Sequence, residues 1–296
     1  MTVIGVLGTF ETAAENSEIA ARHLEAAGHK AIRIHRDEPL GSKVRKLARC
    51  RIVYGTGFGF AAKLWALSRA MGKRTVNHWA GTDVLLALQD ERHRRMALRS
   101  ARFIQRHLSF APWLSDELKT IGILAEVIPY TTPVRYELRA TRGTPGVLAY
   151  LPDERAEFYG AEIVRAVAQQ LPHLPFGIVA GTAGRQPALP NVEYLGWTGD
   201  MRPLYERYPI LLRVARHDGL PKMVLEALAC GNQVIFEYDF PGCRRATNAA
   251  EALATVNAIL AEGCPINTAG SEIARERYGI DQLARQLLEG IGVSAA

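Results

Sequence analysis

The sequence is short of the features that would commit it to a special environment or a special chemistry. It has four cysteines, Cys50, Cys230, Cys243 and Cys264. No two of them stand in C-x-x-C spacing, so neither a zinc cage nor a disulfide framework is indicated. No apolar run approaches the ~20 residues that cross a bilayer; the longest, 3–7 and 58–67, stop well short, the second interrupted by Lys63. The opening Met-Thr-Val-Ile-Gly-Val-Leu-Gly has no basic leader before its apolar run and reads as a first strand, not a secretory signal. A cytoplasmic protein is therefore expected. D-x-D is missing, and no His/Cys/acid cluster has ligand spacing, so no cofactor and no metal is expected. There is no G-x-S-x-G and no Cys/His arrangement for covalent hydrolysis. Gly55-Thr56-Gly57-Phe58-Gly59 lacks the third glycine at the required spacing and the later acid of a dinucleotide fingerprint, and reads as a strand-to-helix turn. Trp65 and Trp113 fall in helical periodicity, as core residues do.

What is present describes a folded globular protein. Hydrophobic residues make up 48% and charged residues 22% of 296, enough apolar surface to exclude disordered and fibrous classes. That length suits two domains of ordinary size. The net charge of +6 is unevenly spread: residues 1–140 hold 22 Lys/Arg against 13 Asp/Glu, and residues 141–296 hold 14 against 17. Arg92, Arg95, Arg99, Arg102 and Arg106 step at 3- and 4-residue intervals and would share one helix face if helicity ran that far. A second basic group is Lys43, Arg45, Lys46, Arg49 and Arg51. Either a solvated face or a surface for anionic lipid accounts for them. Nucleic acid is disfavoured, because aromatics do not interleave the cations and no recognition module accompanies them.

Both halves alternate β-branched runs with helical stretches, the pattern of parallel strands joined by crossover helices. Strands are expected at 2–7, 30–35, 51–54, 74–78, 106–110 and 125–128, with helices at 15–27, 58–71, 91–101 and 113–121. A stretch without period follows at 129–145 and reads as a linker. The second half expects strands at 146–150, 175–180, 191–195, 209–213 and 233–237, and helices at 157–171, 199–207, 221–230, 249–262, 270–277 and 281–290. The division is 1–135 and 136–296, with the last helix free to return to the first domain. Two such open sheets facing each other make a cleft, where small molecules gather at domain interfaces and strand C-termini.

One segment carries chemistry. His217-Asp218-Gly219-Leu220-Pro221 leads into an apolar helix with Pro221 at the expected first helical position. Unpaired N–H groups and the helix dipole make such an entrance an anion site suited to a diphosphate. Glu226 lies inside the apolar run Met-Val-Leu-Glu-Ala-Leu-Ala, where a carboxylate is costly unless donors meet it. A ribose diol offers two donors. Pairing with Lys222, one turn earlier, on a solvent-exposed face is the plainer alternative.

At this segment the sequence resembles the retaining nucleotide-sugar glycosyltransferases of family 4, whose E-x7-E signature reads here as Asp218-x7-Glu226. Gly28-His29, Ile178 to Gly181, and Asn191 to Gly196 with Trp197-Thr198 also look like stretches of that family. The resemblance implies an α/β, GT-B-like fold of two Rossmann-like doubly wound domains facing across a cleft. It implies an N-terminal acceptor domain and a C-terminal donor domain. It assigns Glu226 to the nucleotide ribose, Asp218 to the donor sugar, and His78, in Asn77-His78-Trp79-Ala80-Gly81-Thr82-Asp83, to a sugar contact from the opposite domain. Gly8, Thr9, Gly181, Trp197, Thr198, Gly219, Leu220, Pro221 and Lys222 complete the implied donor set. Three departures stand out. Asp218 replaces the usual Glu. The family's Gly-Gly loop is Gly8-Thr9-Phe10-Glu11-Thr12 here. Tyr159 falls where the family's diphosphate-clamping Lys is expected, and Arg155 lies near the missing Arg but out of register, which leaves Arg213, Arg216 or Lys222 to supply cations.

The expected activity is transfer of a hexosyl-type sugar from a nucleotide-diphosphate sugar to a hydroxyl acceptor with retention and without a metal. The basic first half adds the expectation of a lipid-linked or otherwise anionic acceptor and of peripheral contact with the inner face of the membrane. A non-catalytic nucleotide-sugar binder and a GT-B-fold nucleotide-sugar epimerase are the alternatives.

Overall fold

A computed structural model describes residues 1–11, 15–129, 137–138, 144–184 and 189–295. The chain divides into two compact units: Met1–Pro133 with Asp218–Leu220 and Ile280–Ala296, and Val134–His217 with Pro221–Gly279.

The first unit runs β1 (Val3–Gly8), α1 (Asn16–Ala26), β2 (Lys30–His35), α2 (Leu40–Ala48), β3 (Ile52–Thr56), α3 (Ala62–Ala70), β4 (Arg74–Trp79), α4 (Thr82–Gln89), α5 (Glu91–Ala101), β5 (Arg106–Ser109), α6 (Pro112–Thr120) and β6 (Glu126–Val127). The second runs β7 (Val147–Tyr150), α7 (Ala161–Gln170), β8 (Phe176–Val179), β9 (Val192–Gly196), α8 (Arg202–Arg207), β10 (Ile210–Arg213), α9 (Lys222–Ala229), β11 (Gln233–Phe236), β12 (Cys243–Arg245), α10 (Ala249–Ala261) and α11 (Thr268–Tyr278). The last helix, α12 (Ile280–Ile291), belongs to the first unit. There Gly290 lies against Leu108 and Ile128, and Arg74 and Arg106 donate to the carbonyls of Gly292 and Glu289.

Each unit is built on a six-stranded, wholly parallel sheet. The first has the order β2-β1-β3-β4-β5-β6 and the second β12-β11-β10-β7-β8-β9. Strands such as Ile210–Arg213 and Gln233–Phe236 are buried along their whole length, as strands covered by helices on both faces must be. The cores are separate. One gathers Leu7, Val53, Trp65 and Ile104; the other gathers Val147, Val164, Phe176, Leu212, Ile235 and Val256.

Strand order reverses between β1 and β3 in the first sheet and between β7 and β10 in the second. Diverging crossovers leave a crevice beyond the C-terminal ends of the strands at such a switch point, and ligands of open α/β sheets bind there. Glycines hold these strand ends close to neighbouring backbone. Gly160, at φ +83°, is so near the Val214 carbonyl that a Cβ would stand 2.1 Å from its oxygen.

The expected strands and helices are present with ends shifted by a few residues, and α2, α4 and β12 are additions. The arginine stripe is cut short: α5 ends at Ala101, and Arg106 lies in β5. Pro221 is the N-cap residue of α9, with helical geometry beginning at Lys222, so it precedes the first helical position expected for it. Most of the 129–145 linker lies outside the described residues. Among the described residues, no helix is long and apolar enough to cross a membrane.

Candidate functional site

In the second unit, the switch point is built from Tyr150 at the end of β7 and Arg213 at the end of β10. Arg213 is buried. Its guanidinium carbon lies 5.0 Å from the Tyr150 ring centroid and 4.4 Å from that of Tyr159, a placement in which two ring faces meet the cation. The rings meet edge to face at 5.2 Å. Tyr159, which stands where a lysine was expected, thus packs against an arginine that arrives from another strand. Arg155, exposed, lies over Phe158 at 4.5 Å and Tyr159 at 5.5 Å. The Arg216 N–H donates to the Phe158 carbonyl at 2.9 Å, and this strap holds the segment after β10 to the one before α7.

Trp197 follows β9 and is 77% exposed, yet its ring is edge-on to Tyr150 at 6.2 Å. An indole anchored on one edge and open on its face is a stacking platform. Thr198 shapes the next turn, donating to the Asp200 carbonyl at 2.9 Å. At the end of β8, Ala180 adopts φ +64°, a left-handed conformation that a residue with a Cβ adopts only under constraint. A Cβ on Gly181 would come within 3.0 Å of the Leu151 carbonyl oxygen.

Glu226 is on α9, the helix that follows β10. Its residue is 5% exposed, among Val224, Leu225 and Leu228. Lys222 Nζ is 3.1 Å from Oε1, and the Tyr205 hydroxyl donates to Oε2 at 3.0 Å. Burial raises the carboxyl above its ordinary value, while Lys222 and Tyr205 pull the other way. The plainer alternative therefore holds for the partner and fails for the setting: Lys222 does pair with Glu226, but the carboxylate is inside. Spacing along the chain does not reveal Tyr205, because α8 is only six residues long and too short to show a period. Pro221 leaves α9 without a side-chain cap, and a helix start without such a cap is a place where an anion can be met by backbone N–H groups.

Asp218, Gly219 and Leu220 group with the first unit and Lys222 and Glu226 with the second, so the two acids of the signature fall in different units. Asp218 Oδ1 accepts from the Gly219 N–H at 2.9 Å, and the Trp113 indole donates to the Asp218 carbonyl at 3.0 Å. Gly219 sits against the Ala80 carbonyl, where a Cβ would stand 2.1 Å from the oxygen.

His78 is fully buried in β4. Nε2 is 2.8 Å from the Ile128 carbonyl and Nδ1 is 3.0 Å from the Tyr54 hydroxyl. Thr56 donates to that hydroxyl at 3.2 Å, so Tyr54 gives its proton to Nδ1 and the ring carries its own on Nε2. Burial pulls His78 down to about 3. A sugar contact would require it to give up one of these bonds.

The loop after β1 is filled by the protein itself. The Glu15 carboxylate accepts from Thr9 Oγ1 at 2.6 Å, from Phe10 N at 2.8 Å and from Glu11 N at 3.0 Å. Gly8 is packed so closely that a Cβ would stand 2.3 Å from Ser17 Oγ. Backbone N–H groups that a Gly-Gly loop would offer to a ligand anion hold an internal one here. Among the described residues, no group of three or more His, Cys, Asp or Glu could hold a metal ion.

No family model and no curated protein matches the chain. Solved structures do match it, several over nearly the full length of both partners. Sucrose-phosphate synthase from Thermosynechococcus elongatus is 12% identical, with TM-score 0.76 over 98% of each chain. Anabaena HepE in complex with UDP is 14% identical, with TM-score 0.76 over 99% of this chain and 100% of that one. A glycosyltransferase from Rickettsia africae ESF-5 is 12% identical, with TM-score 0.70 over 98% and 97%. The architecture they share with this chain is GT-B, two Rossmann-like units each carrying a parallel sheet.

Proposed function

We propose that this protein is a glycosyltransferase that moves a sugar from a nucleotide-diphosphate sugar to a hydroxyl acceptor with retention at the anomeric carbon. The observation that carries the reading is Glu226: a buried carboxylate one turn into a helix that has no side-chain cap, in a GT-B fold, inside an Asp-x7-Glu signature. Similar structures hold UDP and UDP-glucose in Anabaena HepE, which makes UDP the first nucleotide to try.

In this reading the second unit binds the donor. Trp197 stacks on the base, Glu226 accepts from the ribose hydroxyls, and Lys222 leaves Glu226 to meet the diphosphate beside the first N–H groups of α9. Arg213, Arg216 and Arg155 supply further positive charge near the switch point, in place of a lysine at Tyr159 and of a metal ion. Asp218 and Gly219 to Pro221 frame the donor sugar, and the acceptor binds to the first unit. The anomeric C–O bond to phosphate breaks, a bond to the acceptor oxygen forms on the same face, and the acceptor proton passes to the departing phosphate. Fixed N–H dipoles and cations stabilise the charge that develops on that phosphate.

The Glu15-filled loop and Tyr159 favour a second reading, a nucleotide-sugar binder without turnover. Thermal shift against nucleoside diphosphates and nucleotide sugars tests the first. Ligand at 100 times Kd stabilises by about 2.7 kcal/mol. A shift with one nucleotide class, lost in Glu226→Ala, supports the reading; no shift with any contradicts it. Consumption of the donor then separates enzyme from binder.

A further inference from the structure

A second concavity lies wholly within the first unit, beyond the C-terminal ends of β2 and β3, beside the β1/β3 switch point. Its volume is about 560 Å³, the size of an ordinary ligand pocket. Phe58, Phe60, Leu64 and Met96 give it an apolar lining, with Phe58 buried and the others half-buried. Arg36, Lys43, Lys63 and Arg99 are its charged members, and among the described residues no acid lines it. Arg36 lies over the Phe58 ring at 5.3 Å, and Lys43 donates to the Arg36 carbonyl, so two of the cations are positioned. Lys63 and Arg99 make no ion pair among the described residues.

The depression does not end there. A further hollow of about 340 Å³ shares Ala62, Lys63 and Arg99 with it and runs on to Arg102 and Phe103. Lys43 stands on α2 between Leu40 and Val44, which are 67% and 36% exposed. An elongated apolar trough with cations and no acid matches one chemistry: an extended hydrocarbon carrying a strong anion. A polar glycan would leave the phenylalanines uncovered, and a neutral lipid would leave the cations unused.

We propose that this trough seats the lipid end of the acceptor and that the acceptor is an anionic amphiphile, a prenyl or acyl chain joined through phosphate to the head group that carries the acceptor hydroxyl. The chain lies along Phe58, Phe60, Leu64 and Met96, and the phosphate is met by Lys63 and Arg99. Leu40 and Val44 give the same face an apolar edge from which a lipid can be drawn. The assignment rests on the glycosyl-transfer reading, because it takes the first unit as the acceptor side.

The test is direct binding of farnesyl phosphate below its micelle concentration, alongside farnesol and inorganic phosphate. The parent is compared with Lys63→Glu/Arg99→Glu, whose side chains are exposed, and with Ala62→Trp, which fills the trough. Farnesyl phosphate should bind the parent at least tenfold more tightly than either fragment, and both variants should lose at least tenfold. Unchanged folding of the variants is checked by their melting curves, and unchanged nucleotide binding by the UDP shift. Equal binding of farnesol, equal binding of phosphate alone, or undiminished binding to both folded variants overturns the proposal. If farnesyl phosphate binds as expected but no nucleotide does, the trough stands as a lipid-phosphate site and the transfer reading fails. If nucleotide binds and farnesyl phosphate does not, the reverse holds.

Discussion

Replacing Glu226 with glutamine separates what this side chain does for the fold from what it does for a ligand. Burial holds its carboxyl above the ordinary value. The folded protein therefore keeps that proton to higher pH than the unfolded chain does, and Glu226 contributes most to stability in acid. The contribution falls as pH rises above 4.5 through the folded value. Glutamine keeps an acceptor for the Tyr205 hydroxyl and loses only the pairing with Lys222, whose side chain is 48% exposed, a contact worth little. Glu226→Gln should thus melt at or above the parent temperature at pH 7–8, and its stability should not fall with rising pH from this source. Binding should move the other way. Hydrogen bonds to a charged group contribute ~1.5–3 kcal/mol and neutral ones ~0.5–1.5. The exchange then costs about 1–2 kcal/mol, or about 5- to 30-fold in Kd. Calorimetric titration of UDP into both proteins, with melting curves from pH 4 to 8, measures the two effects together. A glutamine variant that binds UDP as tightly as the parent refutes the ribose role. One that is strongly destabilised at neutral pH refutes the account of the buried charge.

Three other outcomes follow from the same geometry. Trp197→Ala should leave the melting temperature nearly unchanged, because the indole is 77% exposed, while weakening nucleotide binding by the ~1–3 kcal/mol of one base-stacking contact. His78 sits at about 3 in the folded state against an ordinary 6.5, so the unfolded chain binds the extra proton between those values and stability falls as pH drops through that window. The slope from this group is at most about 1.4 kcal/mol per pH unit, and denaturant titrations of His78→Gln should show a shallower dependence, with the part due to His107, held down to about 4 by burial, remaining. Gly160→Ala should destabilise by more than the ~1 kcal/mol of an ordinary glycine replacement, because it adds a clash with the Val214 carbonyl to a positive φ; an unchanged melting temperature would contradict the packing described.

The two sheets were legible because parallel strands covered on both faces leave short β-branched runs, such as Val3–Gly8 and Ile210–Arg213, that few other structures need. The missing elements left no such trace. In α2 only Leu47 is buried, so its cations dominate the pattern. In α4 the helix begins at a glycine with φ +138° and is held by Asp83 Oδ1, which accepts from the N–H groups of Ala80, Gly81 and Val84. Three residues, Cys-Arg-Arg, make an edge strand at β12 that no alternation announces. The site divides in the same way. An acid inside an apolar helical run singles out Glu226 from sequence, with pairing to Lys222 on a solvent face left as the alternative that only the structure removes. Its Tyr205 partner and the approach of Arg213 to Tyr150 and Tyr159 depend on which strands are neighbours, which spacing along the chain does not carry. Nor does sequence distinguish a histidine open to a ligand from His78, whose two ring nitrogens are taken up by Tyr54 and Ile128, or show that Glu15 turns back into the loop after β1.

The central claim, that a sugar leaves a nucleotide on this protein, is tested most directly by following anomeric proton signals. The protein is incubated with UDP-glucose and the other common nucleotide sugars, with sugars linked through phosphate to farnesol, and simple sugars, as acceptors. The account predicts that one donor disappears, with stoichiometric release of its nucleoside diphosphate. A new glycoside signal should appear with the donor's anomeric configuration, and none of this should occur with Glu226→Ala. A nucleotide sugar that binds and stays intact with every acceptor would contradict transfer and leave a binding protein, and a product of inverted configuration would contradict the same-face mechanism.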